Sequence, residues 1–266
     1  MLLSVKGEGF MSVDYGGRRR FDLGRVFERT FGAIGANGLS LLLVSLILVG
    51  LPQAALVWGQ AQVSAAASDL MTAGVLVGLT AFVVSIVCNV VMQGVVTHAV
   101  VADLQGRKAT VGESLNVALQ SFWGLLAVGI VSGLAITLGL IILILPGILI
   151  FLMWFVAGPA IVAERAGFGQ AFQRSRDLTR NHRWWLLLLA VIYVVLSWVI
   201  AAVVGMIGLA ASGFQADGEL SFVTLVFGPV AQAITTLLWS AIVAATYVEL
   251  RAVKEGGGRT IASIFD

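Results

Sequence analysis

Residues 109–164 read ATVGESLNVALQSFWGLLAVGIVSGLAITLGLIILILPGILIFLMWFVAGPAIVAE, 56 positions without one lysine or arginine, closed on either side by Lys108 and Arg165. A bilayer crossing needs about 20 apolar residues. The stretch therefore holds two crossings and returns the chain to the side it left. Residues 30–106 and 184–250, of 77 and 67 positions, are equally free of basic residues. All sixteen basic residues fall outside these gaps: Lys6 and Arg18 to Arg29, then Arg107 and Lys108, then Arg165 to Arg183, then Arg251 to Arg259. Three returning pairs place every cluster on one face of the bilayer, which the positive-inside rule makes the cytoplasmic face. The fold class is all-α integral membrane, with six transmembrane helices and both termini cytoplasmic.

Acidic residues agree with this orientation. Of fourteen, only Asp69, Asp217 and Glu219 lie in the polar stretches expected as outer loops, so eleven share the side of the basic clusters. The net charge of +2 thus conceals a polarised molecule. Such segregation points to membrane orientation and to anionic inner-leaflet lipid, and away from nucleic acid. A composition of 59% apolar and 11% charged residues is far from the soluble average of about 25% charged. The N-terminus lacks the short apolar core and small-residue cleavage site of a removable signal. Cys88 is the single cysteine, inside an apolar run.

The crossings are expected at Leu39 to Trp58, Gly74 to Val101, Trp123 to Leu145, Ile148 to Val162, Trp184 to Ala211 and Phe222 to Val248. Residues 1–20 read as a flexible tail, 21–254 as one membrane domain and 255–266 as a short cytoplasmic tail. Pro146-Gly147 is expected to make a tight reversal between the third and fourth crossings. Pro159 predicts a kink or broken turn near the end of the fourth. Trp58, Trp123, Trp184 and Trp185 fall at predicted water–lipid boundaries, whereas Trp154, Trp198 and Trp239 read as packing residues. Gly74 with Gly78, and Gly129 with Gly133, have the spacing of close helix approach.

An internal repeat precedes the odd crossings: Leu23-Gly-Arg-Val-Phe, Val111-Gly-Glu-Ser-Leu and Phe168-Gly-Gln-Ala-Phe. The even crossings end alike, in Val101-Ala-Asp-Leu, Val162-Ala-Glu-Arg and Tyr247-Val-Glu-Leu. Three parallel repeats follow, each an amphipathic helix plus two crossings. The first amphipathic segment gathers Leu23, Val26, Phe27, Thr30, Phe31 and Ile34 on one face, with Arg25, Glu28 and Arg29 opposite. The third gathers Phe168, Ala171, Phe172, Ser175 and Leu178, with Arg174, Asp177 and Arg180 outward. Helices of this pattern lie in the interface or pack on the bundle as extensions of the next crossing. Arg25, Arg29, Arg174, Arg176, Arg180 and Arg183 are the candidate contacts to lipid headgroups.

Three stretches, Leu145-Pro-Gly-Ile, Pro159-Ala-Ile-Val-Ala-Glu-Arg and Ala171-Phe-Gln-Arg-Ser-Arg-Asp-Leu-Thr-Arg-Asn-His-Arg-Trp, resemble the membrane domain of some bacterial glycerophosphodiester phosphodiesterases and related stand-alone membrane proteins. Ser175, Leu178, Thr179 and Asn181 match that family's signature before a crossing, and Tyr247-Val-Glu-Leu-Arg resembles its final helix. The resemblance covers residues 115–255 best. It implies the architecture and a bacterial inner-membrane location. The phosphodiesterase chemistry of such fusions resides in a separate soluble domain, for which twenty N-terminal residues and a short tail leave no room.

Groups able to catalyse are scarce. His98 and His182 both lie near the cytoplasmic boundary and form no paired metal-ligand spacing; each reads as an interfacial or hydrogen-bonded histidine. Gly167-Phe-Gly169 follows a membrane helix, not a strand, and lacks a third glycine. No catalytic residue, metal site or cofactor is expected, and the chain reads as a non-enzyme. Asp103, Glu164 and Glu249 are equivalent in the repeat; they form either a carboxylate ring at the cytoplasmic mouth or ion pairs with Arg107, Arg165, Arg251 or the amphipathic arginines. Ser85, Asn89, Gln93 and Thr97 make a polar stripe on the second crossing, and Gln232, Thr236 and Ser240 another on the sixth. Such stripes bond helices together or line a solvated path; the first is the expectation. The sequence thus supports a lipid-associated or scaffolding inner-membrane protein contacting anionic lipid and a membrane-protein partner. Its alternative is a transporter or channel for a small polar or lipid-like substrate.

Overall fold

A computed structural model describes residues 21–66, 70–211 and 223–262, which are almost wholly helical with no strand among them. In chain order the helices are α1 (Leu23–Ser45), α2 (Leu51–Ala66), α3 (Leu70–Leu104), α4 (Val111–Gln120) and α5 (Phe122–Ile142), then α6 (Ile144–Met153), α7 (Ala157–Glu164), α8 (Phe168–Thr179), α9 (Arg183–Ala211) and α10 (Gly228–Ala262). Six helical spans are long and apolar enough to cross a membrane: Gly38–Gln62, Gly74–Leu104, Phe122–Ile142, Ile144–Glu164, Arg183–Ala210 and Leu225–Glu255. The protein is thus a multi-pass helical membrane protein by length and apolarity. Each of α3 and α10 has 35 residues and so runs about 52 Å, well beyond a hydrocarbon layer of about 30 Å. The expected loop residues Asp69, Asp217 and Glu219 and the tail 1–20 lie outside the described residues. Residues 255–262 continue α10.

All four prolines lie within the candidate spans, each placed as its missing N–H dictates. Two follow a widened turn. A π-helical segment, Leu46–Gly50, ends two residues before Pro52, and a second, Val223–Phe227, ends two residues before Pro229. A π turn shifts the hydrogen-bond register by one residue, which relieves the clash of a proline ring with the carbonyl four residues earlier. The other two prolines sit in first turns, where no intrahelical donor is needed. Pro146 lies in the first turn of α6 and Pro159 in that of α7.

These positions correct one expectation and refine another. Pro146-Gly147 is not the reversal: Leu143, extended at φ −161° and ψ 140°, turns the chain, and Gly147 lies inside α6. A Cβ on Gly147 would stand 2.7 Å from the Leu140 backbone nitrogen, and one on Gly139 would stand 2.9 Å from Gly147 Cα. The glycine is therefore needed for contact between α5 and α6. The fourth crossing does break, at Trp154 to Val156, just ahead of Pro159. Gly74, Gly78, Gly129 and Gly133 face open space and mediate no close approach. Trp198, at 73% exposure, is an outward residue and not a packing one.

The amphipathic helices are held at one end of the bundle. Asp22 caps α1 by accepting from the Gly24 amide at 2.8 Å, and Thr110 caps α4 by accepting from the Glu113 amide at 3.2 Å. At α8 the Gln170 side chain accepts from the Gly167 amide at 3.3 Å. Each helix then begins one residue before a glycine of the sequence repeat. Equivalent positions are buried in all three: Val26, Ser114 and Ala171, and one turn on Thr30, Ala118 and Ser175. Burial at a spacing of four is one helix face. α1 packs chiefly on α10, α4 on α3 and α8 on α7.

Candidate functional site

The arginine-rich end is a set of joints between an amphipathic helix and the end of a crossing. At the first, Glu249 of α10 is 1% exposed and takes Arg29 at 2.7 Å and Arg25 at 3.3 Å. Removing a carboxylate this far from water is costly unless cations replace its hydration. At the second, Arg174 Nε of α8 donates to both oxygens of Glu164, at 2.9 and 3.1 Å, and the Tyr247 hydroxyl donates to Glu164 Oε1 at 2.6 Å. Glu255 takes the other side of Arg174 and also Arg251, whose Nε donates at 2.7 Å. Partial burial works against the Arg174 cation, but hydrogen bonds from Glu255 and Glu164 outweigh it and hold the guanidinium above its ordinary pKa.

Joint three carries the opposite polarity. Here the amphipathic helix supplies the carboxylate, Glu113, at 3.8 Å from His98 Nε2 and 3.7 Å from Arg107. His98 Nδ1 also meets Ser114 Oγ at 3.1 Å, so the histidine is a hydrogen-bonded interface residue. Asp103 is half-buried at the end of α3, where Gly106, at φ 76°, donates to its backbone carbonyl. His182 lies against Phe21, ring centroids 5.5 Å apart, and burial pushes its imidazole below the ordinary histidine range.

Asp103, Glu164 and Glu249 consequently do not make a ring. Among the described residues no three His, Cys, Asp or Glu side chains come together as a metal-binding group. Of the six candidate headgroup arginines, Arg25, Arg29 and Arg174 are engaged by carboxylates. Arg183 is half-buried, whereas Arg176 on α8 and Arg180 directly after it are exposed. The buried face of α8, Ala171, Ser175, Leu178 and Thr179, lies on the bundle. Ser175 closes the break in the fourth crossing: its Oγ donates to the Met153 carbonyl at 2.9 Å and accepts from the Val156 amide at 3.2 Å. The aromatic ring pair Trp154 and Phe172, 4.5 Å apart, seals the same contact.

A second region lies in the opposite half of the bundle. A cavity of about 200 Å³ opens between α2, α3 and α10, lined by Gln53, Ser85, Cys88, Asn89 and Gln232 with Val49, Pro52, Leu56 and Val84. Asn89 is fourteen residues, about 21 Å of helix, from Asp103. The two polar stripes share this cavity through Ser85, Asn89 and Gln232. Gln93 instead packs where a Cβ on Gly158 would touch its amide at 2.7 Å, and Thr97, Thr236 and Ser240 are buried. No hydrogen bond among the described residues joins the two stripes. Asn89 Nδ2 donates to the Ser85 carbonyl and Gln232 Nε2 to Thr236 Oγ1, each within its own helix. Gln53 escaped the sequence reading; a carboxamide directly after a mid-span proline was its signal.

The profile of the family described as domain of unknown function DUF7847 matches residues 21–250, which include five of the six spans whole and most of the sixth. The chain belongs to that family. No curated protein and no solved structure matches the chain. The family's description bears neither on an activity nor on the phosphodiesterase membrane domains that the sequence resembles.

Proposed function

We propose that the protein is a non-enzymatic, lipid-associated protein of the bacterial inner membrane, with its arginine-rich end and both termini cytoplasmic. The supporting observation is the division of labour on α8. Arg174 is spent on Glu164 and Glu255, yet Arg176 and Arg180 remain exposed, beside Trp184 at 83% exposure. Cations flanked by an exposed indole at the end of a crossing suit an anionic headgroup layer. Equivalent helix starts, equivalent buried positions and the joints of α4 on α3, α8 on α7 and α1 on α10 support three parallel units closed in a cycle. The likeness to phosphodiesterase membrane domains is of the same kind, one of architecture alone.

Replacing Arg176 and Arg180 together by alanine tests the reading. Each basic residue near an anionic surface contributes about 1 kcal/mol, so the pair should lower retention of anionic lipid about tenfold or more without unfolding the bundle. Native mass spectrometry of the purified protein measures this. Equal anionic-lipid retention by both proteins contradicts the proposal. A transporter or channel is the second reading, favoured by the cavity at the meeting of the polar stripes. Solute uptake by proteoliposomes that Asn89→Leu abolishes, with folding intact, would establish it.

A further inference from the structure

We infer that the cavity between α2, α3 and α10 is a binding site for a small uncharged solute carrying hydroxyl or amide groups. Three independent features coincide there. The first is shape: the π-helical segment Leu46–Gly50 supplies Val49 to the wall, the second, Val223–Phe227, leads into the helix that supplies Gln232, and a Cβ on Gly50 would stand 3.7 Å from the Pro229 carbonyl oxygen. Widened turns at a helix contact recur at functional sites because they redirect backbone carbonyls and open space. Here both are imposed by prolines within a crossing.

Chemistry is the second. Three carboxamides, Gln53, Asn89 and Gln232, and the Ser85 hydroxyl share the cavity with no charged side chain. A carboxamide has two donors and an acceptor with two lone pairs. One Asn89 N–H goes to the Ser85 carbonyl and one Gln232 N–H to Thr236, so each keeps a donor and its oxygen for another partner. No protein hydrogen bond among the described residues reaches the Gln53 side chain. A charged solute would bring its charge into the membrane half with no counter-ion, at a cost of several kcal/mol. A neutral one, matched donor for acceptor, avoids that cost. The third feature is size: about 200 Å³ is below the usual range of about 300–1,000 Å³ for drug-sized ligands and limits the solute to a few heavy atoms. Binding here requires no transport, and it is independent of the headgroup contacts on α8.

Cys88, the only cysteine of the chain, lines the same cavity and is a built-in reporter. The full-length protein in lipid nanodiscs is alkylated with a small neutral maleimide at mildly alkaline pH, where more of the thiol is ionised. Glycerol, acetamide and, as a charged control, choline are each titrated against the reaction. Cys88 should react, and glycerol or acetamide should slow it in a saturable way, about threefold at twice the dissociation constant. Choline should leave the rate unchanged. Asn89→Leu should remove the protection while Cys88 still reacts, and Arg176→Ala should change nothing. An unreactive Cys88 in the folded wild type overturns the inference, and so does slowing that is unsaturable or equal for choline. The wild-type titration decides the matter even if the Asn89 variant fails to fold.

Discussion

The joint of α1 on α10 and the joint of α4 on α3 use one helix phase and opposite chemistry. Both amphipathic helices begin behind a side-chain cap and bury matching positions, Val26 and Thr30 in one, Ser114 and Ala118 in the other. Two arginines reach into the first joint to meet Glu249, which is cut off from water. The second rests on steric fit: a Cβ on Gly94 would lie 2.8 Å from Ala118 Cβ, and the ion pair of Glu113 with Arg107 stands at the surface. Geometry is thus common to the two, and the electrostatic work is not. An ion pair is a strong constraint only where solvent has been removed from it.

Glu249→Gln should separate the joints most sharply. It leaves two guanidiniums facing a neutral amide, and breaking a buried pair costs about 3–5 kcal/mol, here near the lower end because both arginines reach water. Unfolding of the bundle by sodium dodecyl sulfate in mixed micelles measures it; a loss below about 1 kcal/mol would mean that the burial of Glu249 does not matter. Gly94→Ala is the matching attack on the α4 joint. The new methyl meets both Cβ and Cα of Ala118, so backbone must move, at about 1–3 kcal/mol. Ser175→Ala, at the α8 joint, removes the hydroxyl that serves Met153 and Val156 at once, and should cost about 1–3 kcal/mol. Faster hydrogen exchange at the Val156 amide in that variant would place the loss at the break itself.

Much of this was legible because a bilayer sorts residues coarsely. The absence of lysine and arginine from 30–106, 109–164 and 184–250 marks three pairs of crossings, and the apolar runs inside those gaps place the six spans. Starts of the amphipathic helices were legible through the repeat, since Gly24, Gly112 and Gly169 each follow the first residue of a helix. Local backbone was harder. Pro146-Gly147 carries the letters of a turn, but Pro146 needs only a position without an intrahelical donor, and the first turn of α6 supplies one. Trp198 shows a different limit: mid-span in water means core, whereas mid-span in lipid permits either face, and α9 leaves it outward. Among the site residues, charge signs were readable but partners were not. Glu164 and Glu249 occupy equivalent places in the repeat and lie in different joints because each meets the amphipathic helix that follows its own unit, α8 for Glu164 and α1 for Glu249.

Glu113→Ala is the smallest effect expected, and it tests the comparison from its weak side. Glu113 is 43% exposed, Arg107 is 62% exposed, and both of its pairs are longer than 3.5 Å. Water and salt screen charges so placed, and measured exposed pairs contribute about 0.2–1 kcal/mol. The alanine variant should therefore lose under about 1 kcal/mol in the mixed-micelle assay, with a loss that shrinks further in high salt. His98 keeps its contact to Ser114 in that variant, so α4 should stay docked through Ala118. A loss as large as that of Glu249→Gln would show that Glu113 is a strong constraint despite its exposure. It would then be the position of a charge in the repeat, and not its isolation from solvent, that holds an amphipathic helix to its crossing.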